Sequence, residues 1–183
     1  MKSQSIFAVT LCYCRRAILI GATLTALTTA MDTNSQSTNV DTHRHDRTPP
    51  LAPGLVEKAI AAARSASTNA YCPYSKFRVG AAVVTENDEI FAGCNVENAS
   101  YGLTICAERN AVFQAVAKGR KEIKLVVVYT PTTIATAPCG ACRQVINEFG
   151  PTAGILCICD AQDQIKESLD DLLKKAFGPR NLK

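Results

Sequence analysis

An antiparallel hairpin followed by alternating helices and strands predicts an α/β domain, in which a mixed sheet is covered by helices on both faces. Three observations carry this expectation. Two apolar runs, Val79 to Thr85 and Ile90 to Asn95, are separated by the polar turn Glu86-Asn87-Asp88-Glu89. Ahead of them, Leu55, Val56, Ala59, Ile60 and Ala63 recur at the spacing of one helix face. Behind them, helical and strand periodicities take turns to the end of the chain.

In order, the pattern gives a helix from Leu55 to about Ala66, the hairpin, and a helix from Cys106 to Lys118. A strand from Leu125 to Thr130, a helix from Cys139 to Phe149, a strand from Ile155 to Cys159 and a last helix around Leu169 to Ala176 follow. There is no internal repeat. The domain is therefore expected to span residues 55–183, with residues 1–54 as an extension.

The extension has two parts. The first thirty residues contain no acid, and the pair Arg15-Arg16 precedes the apolar run Ala17 to Leu27, a pattern shared by signal and transit peptides. A membrane span is a poor reading, because the run is short and extending it backward would bury both arginines, at roughly 2.5 to 3.5 kcal/mol each. The only methionines are Met1 and Met31, so initiation at Met31 would remove this segment whole. Residues 32–54, rich in Thr, Asn, Asp and Pro, read as a disordered linker. The protein is expected in the cytoplasm, with an organellar or secretory route as the alternative if residues 1–30 act as a targeting segment.

The formal net charge is +4, shared equally between residues 1–50 and the remainder, which is no footprint for gripping a nucleic-acid backbone. The informative count is nine cysteines against two histidines, His43 and His45, both ahead of the domain. An odd number of scattered cysteines in a chain able to bury a core argues against a secreted disulfide framework and for a reducing compartment. Any metal site in the domain must be built from thiolates.

Pro138-Cys139-Gly140-Ala141-Cys142 places two thiols on one face at the start of a helix, where free N–H groups favour the thiolate form. Alone, the pair could be a redox couple or half of a structural zinc site. Upstream, Cys106-Ala107-Glu108 opens another helix with a third thiol and a carboxylate. Three protein ligands leave zinc's fourth position open for water, as catalytic sites do. Two helical positions are about 200° apart, so Cys106 and Glu108 can converge on one water only if Cys106 is the N-cap. Zn²⁺ with three thiolates is formally anionic. Arg109, three residues after Cys106, and Arg143, next to Cys142, are placed to offset that charge.

Cys106-Ala107-Glu108-Arg109 together with Pro138-Cys139-Gly140-Ala141-Cys142-Arg143-Gln144 resembles the zinc motif of the cytidine deaminase family. The resemblance runs from about Leu55 to Leu182 and includes Tyr71-Cys72-Pro73-Tyr74-Ser75, Phe77-Arg78-Val79-Gly80-Ala81-Ala82 and Gly93-Cys94-Asn95-Val96-Glu97-Asn98-Ala99. It implies a three-layer α/β/α sandwich on a mixed five-stranded sheet. It also implies one Zn²⁺ per subunit on Cys106, Cys139 and Cys142, with Glu108 shuttling the proton as water replaces the amino group of cytidine or 2′-deoxycytidine. A cysteine as first ligand is similar to the free-nucleoside branch rather than the polynucleotide-editing branch.

Asn95 and Glu97 offer an amide and a carboxylate on one side of a strand end, the pair that vicinal sugar hydroxyls want, and the resemblance assigns them that role. It further implies that Val96, Asn98, Ala99, Ser100 and Tyr101 line the nucleoside, that the Ala107 backbone reaches the base edge, and that Phe77 stacks on the pyrimidine or else is core. Phe177, in Phe177-Gly178-Pro179, matches an aromatic that closes a neighbouring subunit's site in a homotetramer, and Tyr101 resembles an intersubunit contributor. Cys72, Cys94, Cys157 and Cys159 are expected to be buried packing residues. The expected partners are a nucleoside substrate and water, without nucleic acid or membrane. Rival activities are deamination of another free base or nucleoside analogue, which Asn95 and Glu97 argue against, and a zinc-stabilised interaction module, in which Glu108 would have no purpose. Editing of single strands would want a basic groove with stacking aromatics, which the charge does not supply.

Overall fold

A computed structural model describes residues 51–182. The expected targeting segment, most of the linker and both histidines lie outside the described residues.

The described chain forms α1 (Leu55–Ser67), β1 (Gly80–Thr85), β2 (Ile90–Cys94), α2 (Ala107–Ala117), β3 (Ile123–Tyr129), α3 (Gly140–Phe149), β4 (Gly154–Ile158), β5 (Gln164–Ser168) and α4 (Leu169–Leu172). The five strands make one sheet in the order β2-β1-β3-β4-β5. β1 is antiparallel to both β2 and β3, β3 is parallel to β4, and β4 is antiparallel to β5. The mixed sheet expected from the sequence is present.

The period-two alternation of β1 sorts its side chains between two layers. Ala82 and Val84 pack with Leu55, Ala59 and Ala63 of α1 on one face of the sheet. Ala81 and Val83 pack on the other face with Ala111, Val112 and Ala115 of α2 and Ile146 of α3. Both faces of β1 are sealed, which makes this an α/β/α sandwich. Each fully buried valine, such as Val83 or Val126, contributes about 1.5–3 kcal/mol by leaving water.

The topology fixes where a site can form. Two antiparallel steps separate β2 from β3, so these strands run the same way and their carboxyl ends share one edge of the sheet. α2 follows β2 and α3 follows β3, which brings both helix N-termini to that edge. Gly93 lets α2 settle directly on β2. A Cβ there would lie 2.6 Å from Ala111 N and 2.8 Å from Ala107 O. Asn110 adds to the contact by donating from Nδ2 to Cys94 O at 2.8 Å.

Three expectations need correction. The five strands agree with the sheet that the resemblance implies, but the pattern itself places only four of them; β5 is missed because it is an edge strand whose single apolar side chain is Ile165. The last helix is one turn, Leu169–Leu172, rather than running to Ala176. Ser168 caps its start, and Leu173 at φ −135° and Lys175 at φ 55° have left helical geometry. Of the four cysteines expected in the core, Cys157 and Cys159 are buried but Cys72, in the connection between α1 and β1, and Cys94, at the end of β2, are half-buried. Among the described residues, no helix is long and apolar enough to cross a membrane.

Candidate active site

Cys106 is the N-cap of α2, with φ −70° and ψ 157°, and Cys139 is the N-cap of α3, with φ −66° and ψ 166°. The extended backbone at Cys106 frees its side chain from the helical offset, as convergence with Glu108 requires. Cys142 sits one turn into α3 and is buried. The three sulfurs all lie within 4.8 Å of one another. Cys106 Sγ is 3.9 Å from Cys139 Sγ, which is 3.5 Å from Cys142 Sγ. A tetrahedral zinc with Zn–S bonds of about 2.3 Å needs sulfurs about 3.8 Å apart. The donor set therefore fits zinc.

Charge supports the same reading. Hydrogen bonding from Cys142 and the Arg109 guanidinium pull the Cys106 thiol down to about 5 against the cost of its burial, so a thiolate is present at neutral pH. Arg109 Nη2 lies 3.5 Å from Cys106 Sγ and donates to Thr104 O at 3.1 Å. Its Nε is buried without a hydrogen-bond partner. A partly buried cation next to sulfur is well suited to an anionic zinc–thiolate group.

Arg143 behaves differently from the expectation that it neighbours the metal. It donates from Nε to Pro138 O at 2.8 Å and from Nη1 to Leu172 O at 2.9 Å. These bonds tie the entry of α3 to the end of α4, and none of them reaches a thiol. Arg143 holds the cysteine loop through its backbone.

Glu108, in the first turn of α2, is only 4% exposed. Burial raises its carboxyl above the usual carboxylate range, and the charge of Cys106 pushes the same way. The group is thus poised to hold a proton as well as release one. Cys157, by contrast, is pushed up to about 12 by burial and stays a neutral packing thiol.

The segment before Cys106 is positioned by backbone pairing. Val96 exchanges both hydrogen bonds with Ile105, at 2.9 and 3.0 Å. Tyr71 N–H donates to Asn95 O at 3.0 Å, and Glu97 N–H donates to Tyr71 O at 2.8 Å. Asn95 and Glu97 therefore sit on a short ladder that leads straight into the first cysteine. Asn95 brackets residues 77–79, donating to Phe77 O and accepting from Val79 N–H, both at 2.9 Å. Glu97 accepts the N–H of Tyr74 and of Ser75, at 2.9 and 3.2 Å, and the Ser75 hydroxyl. Phe77 is 39% exposed, so it is not a core residue.

Asn98, Ala99 and Ser100 form an exposed loop, closed by Ser100 N–H on Asn98 Oδ1 at 2.8 Å and by Asn98 N–H on Thr104 Oγ1 at 3.2 Å. Tyr101, 74% exposed, packs its ring 5.8 Å from that of Tyr74. Ala107 is buried as the first residue of α2. Phe177 is 61% exposed, while its carbonyl accepts hydrogen bonds from two amides of α3, Gln144 Nε2 at 2.8 Å and Asn147 Nδ2 at 3.3 Å. Sequence reasoning assigned no role to Ser75 or Thr104. Ser75 ends the run Tyr71-Cys72-Pro73-Tyr74-Ser75, whereas Thr104 acts through its carbonyl on Arg109 and its hydroxyl on Asn98, contacts between separate segments that spacing does not signal.

The chain's residues 55–158 match the family model described as the cytidine and deoxycytidylate deaminase zinc-binding region. The chain belongs to this family. It is similar to a cytidine deaminase of Sporosarcina psychrophila, at 44% identity over 69% of this chain and 94% of that protein. A probable cytidine deaminase of Dictyostelium discoideum is 45% identical over 69% of this chain and 86% of its own length. Among solved structures, cytidine deaminase from Burkholderia pseudomallei superposes with a TM-score of 0.63 and 48% identity, covering 66% of this chain and 98% of that one. These matches agree with the fold and with the zinc-fitting cysteines described above.

Proposed function

We infer that this chain hydrolyses cytidine and 2′-deoxycytidine to uridine and 2′-deoxyuridine with release of ammonia, using one zinc ion per subunit held by Cys106, Cys139 and Cys142. The observation that carries the reading is the placement of a buried Glu108 two residues after a cysteine N-cap, next to Cys142 of a cluster of three sulfurs. When bound, zinc supplies the Lewis acidity that makes water a nucleophile near neutral pH.

The chain's own residues do the rest. Glu108 takes a proton from the attacking water as its oxygen adds to C4, then gives a proton to the departing amino nitrogen. Its raised affinity for protons suits the second step. Arg109 offsets the negative charge at Cys106. Asn95 and Glu97 receive the sugar, and Phe77 with the loop of Val96, Asn98, Ala99, Ser100 and Tyr101 encloses the nucleoside. The Ala107 N–H, free at the start of α2, is available to the base edge.

The protein acts as a homotetramer in the cytoplasm, salvaging pyrimidines, with Phe177 and Tyr101 reaching a neighbouring subunit. Their exposed rings support that assignment. Zinc content and cytidine turnover of Glu108→Gln test the reading. Stoichiometric zinc with turnover nearly abolished is expected, and an active variant refutes the proton shuttle. For the shared site, Phe177→Ala is expected to raise KM while sizing still shows an oligomer.

A further inference from the structure

Ser75 joins the two groups that the proposed function assigns to sugar and base. Its hydroxyl donates to Glu97 Oε1 and accepts the Phe77 N–H at 3.0 Å. Its own N–H donates to Glu97 Oε2 at 3.2 Å. Lys76, between the two, adopts φ 59°, a left-handed turn that folds Phe77 N–H back onto the Ser75 oxygen. On its other side Phe77 is fixed by Asn95 Nδ2 on its carbonyl. Three bonded donors leave the Glu97 carboxylate roughly one of its four acceptor positions for a ligand. Its orientation is therefore set before any substrate arrives.

We propose that Ser75 is a positioning residue for nucleoside binding, whose hydroxyl locks the Glu97 carboxylate and the Phe77 backbone into one geometry so that sugar and base are gripped together. The proposal rests on the reading of Glu97 as the sugar-binding carboxylate. Preorganisation of this kind acts on substrate affinity and leaves the proton chemistry at Glu108 alone. The Glu97 carboxyl is also held below the usual range, first by the Ser75 hydroxyl, then by the Tyr74 and Ser75 N–H groups and the charge of Lys76, with burial opposing. Losing the hydroxyl moves it back up.

The test compares zinc-loaded full-length wild type with Ser75→Ala, Ser75→Thr, Glu97→Gln and the Ser75→Ala/Glu97→Gln double variant on cytidine across pH. Ser75→Ala is expected to raise KM about tenfold, the scale of one hydrogen bond to a charged group, with kcat within about twofold. The acid limb of kcat/KM should move to higher pH, and Ser75→Thr should restore both values. The double variant should fall well short of additive, because the larger part of the Ser75 effect acts through the same carboxylate and only the Phe77 N–H bond is independent of it. A Ser75→Ala enzyme with wild-type KM while Glu97→Gln is impaired removes the positioning role alone, as does a fully additive double variant. If Glu97→Gln leaves KM unchanged, the sugar-binding reading fails and the role of Ser75 falls with it. Should Ser75→Ala not fold, Ser75→Cys, a weaker donor of similar size, carries the same comparison.

Discussion

Arg109 Nη2 and Cys106 Sγ are 3.5 Å apart across one turn of α2, and the same nitrogen donates to Thr104 O. A cation pinned between a loop carbonyl and a thiolate stabilises the charged form of the ligand. Arg109→Ala is expected to weaken zinc binding by roughly 10- to 100-fold, the usual cost of losing a partner behind a metal ligand. Competition with a chromophoric chelator measures this, and unchanged affinity would detach Arg109 from the site.

Glu108→Gln keeps the volume of the buried side chain and removes its basicity. Turnover of cytidine should fall by about 10²- to 10⁴-fold while zinc content is retained. Steady-state kinetics beside elemental analysis separates lost chemistry from lost metal.

Gly93 is the contact on which α2 rests. The Cβ of Gly93→Ala would meet backbone atoms at 2.6 and 2.8 Å, which only movement of the helix can relieve. Overpacking of this kind costs about 1–3 kcal/mol, and the displaced helix carries Glu108. Thermal unfolding should show a Tm lowered by several degrees, and an unchanged Tm would mean that α2 is not so closely seated.

Asp160 accepts the Tyr129 hydroxyl at 2.7 Å and the Arg64 guanidinium at 3.1 Å, joining the end of β4 to β3 and α1. The Tyr129 bond, then Arg64, holds its carboxyl below the usual range. A lowered carboxyl contributes stability that is present above its unfolded pKa and lost as pH falls through the folded one. The Tm difference between wild type and Asp160→Asn should accordingly be largest above about pH 5 and shrink toward pH 2. A difference that is flat with pH contradicts the ion-pair account.

The site was readable where its signal is local. Cys106-Ala107-Glu108 and Cys139 to Cys142 each lie within one helical turn, so spacing and capping rules alone place Cys106 at an N-cap, where it is found. What spacing cannot convey is how separate segments meet. The pattern shows Asn95 and Glu97 as an amide and a carboxylate at a strand end, and cannot show that each is already bonded to residues 74–79, some twenty positions upstream. Arg143 lies beside a cysteine in sequence but spends its donors on Pro138 and Leu172. Strand β5 escaped because an exposed edge strand needs no apolar alternation, only a partner, which β4 supplies.

On the proposed function, a free nucleoside rather than a polynucleotide is deaminated at the three-cysteine site. The direct measurement is uracil product formed by purified zinc-loaded protein from cytidine, 2′-deoxycytidine, CMP and a cytosine-containing oligonucleotide. Turnover of the two nucleosides with little or none of the oligonucleotide is the expected result. Turnover of the oligonucleotide but not the nucleosides contradicts it.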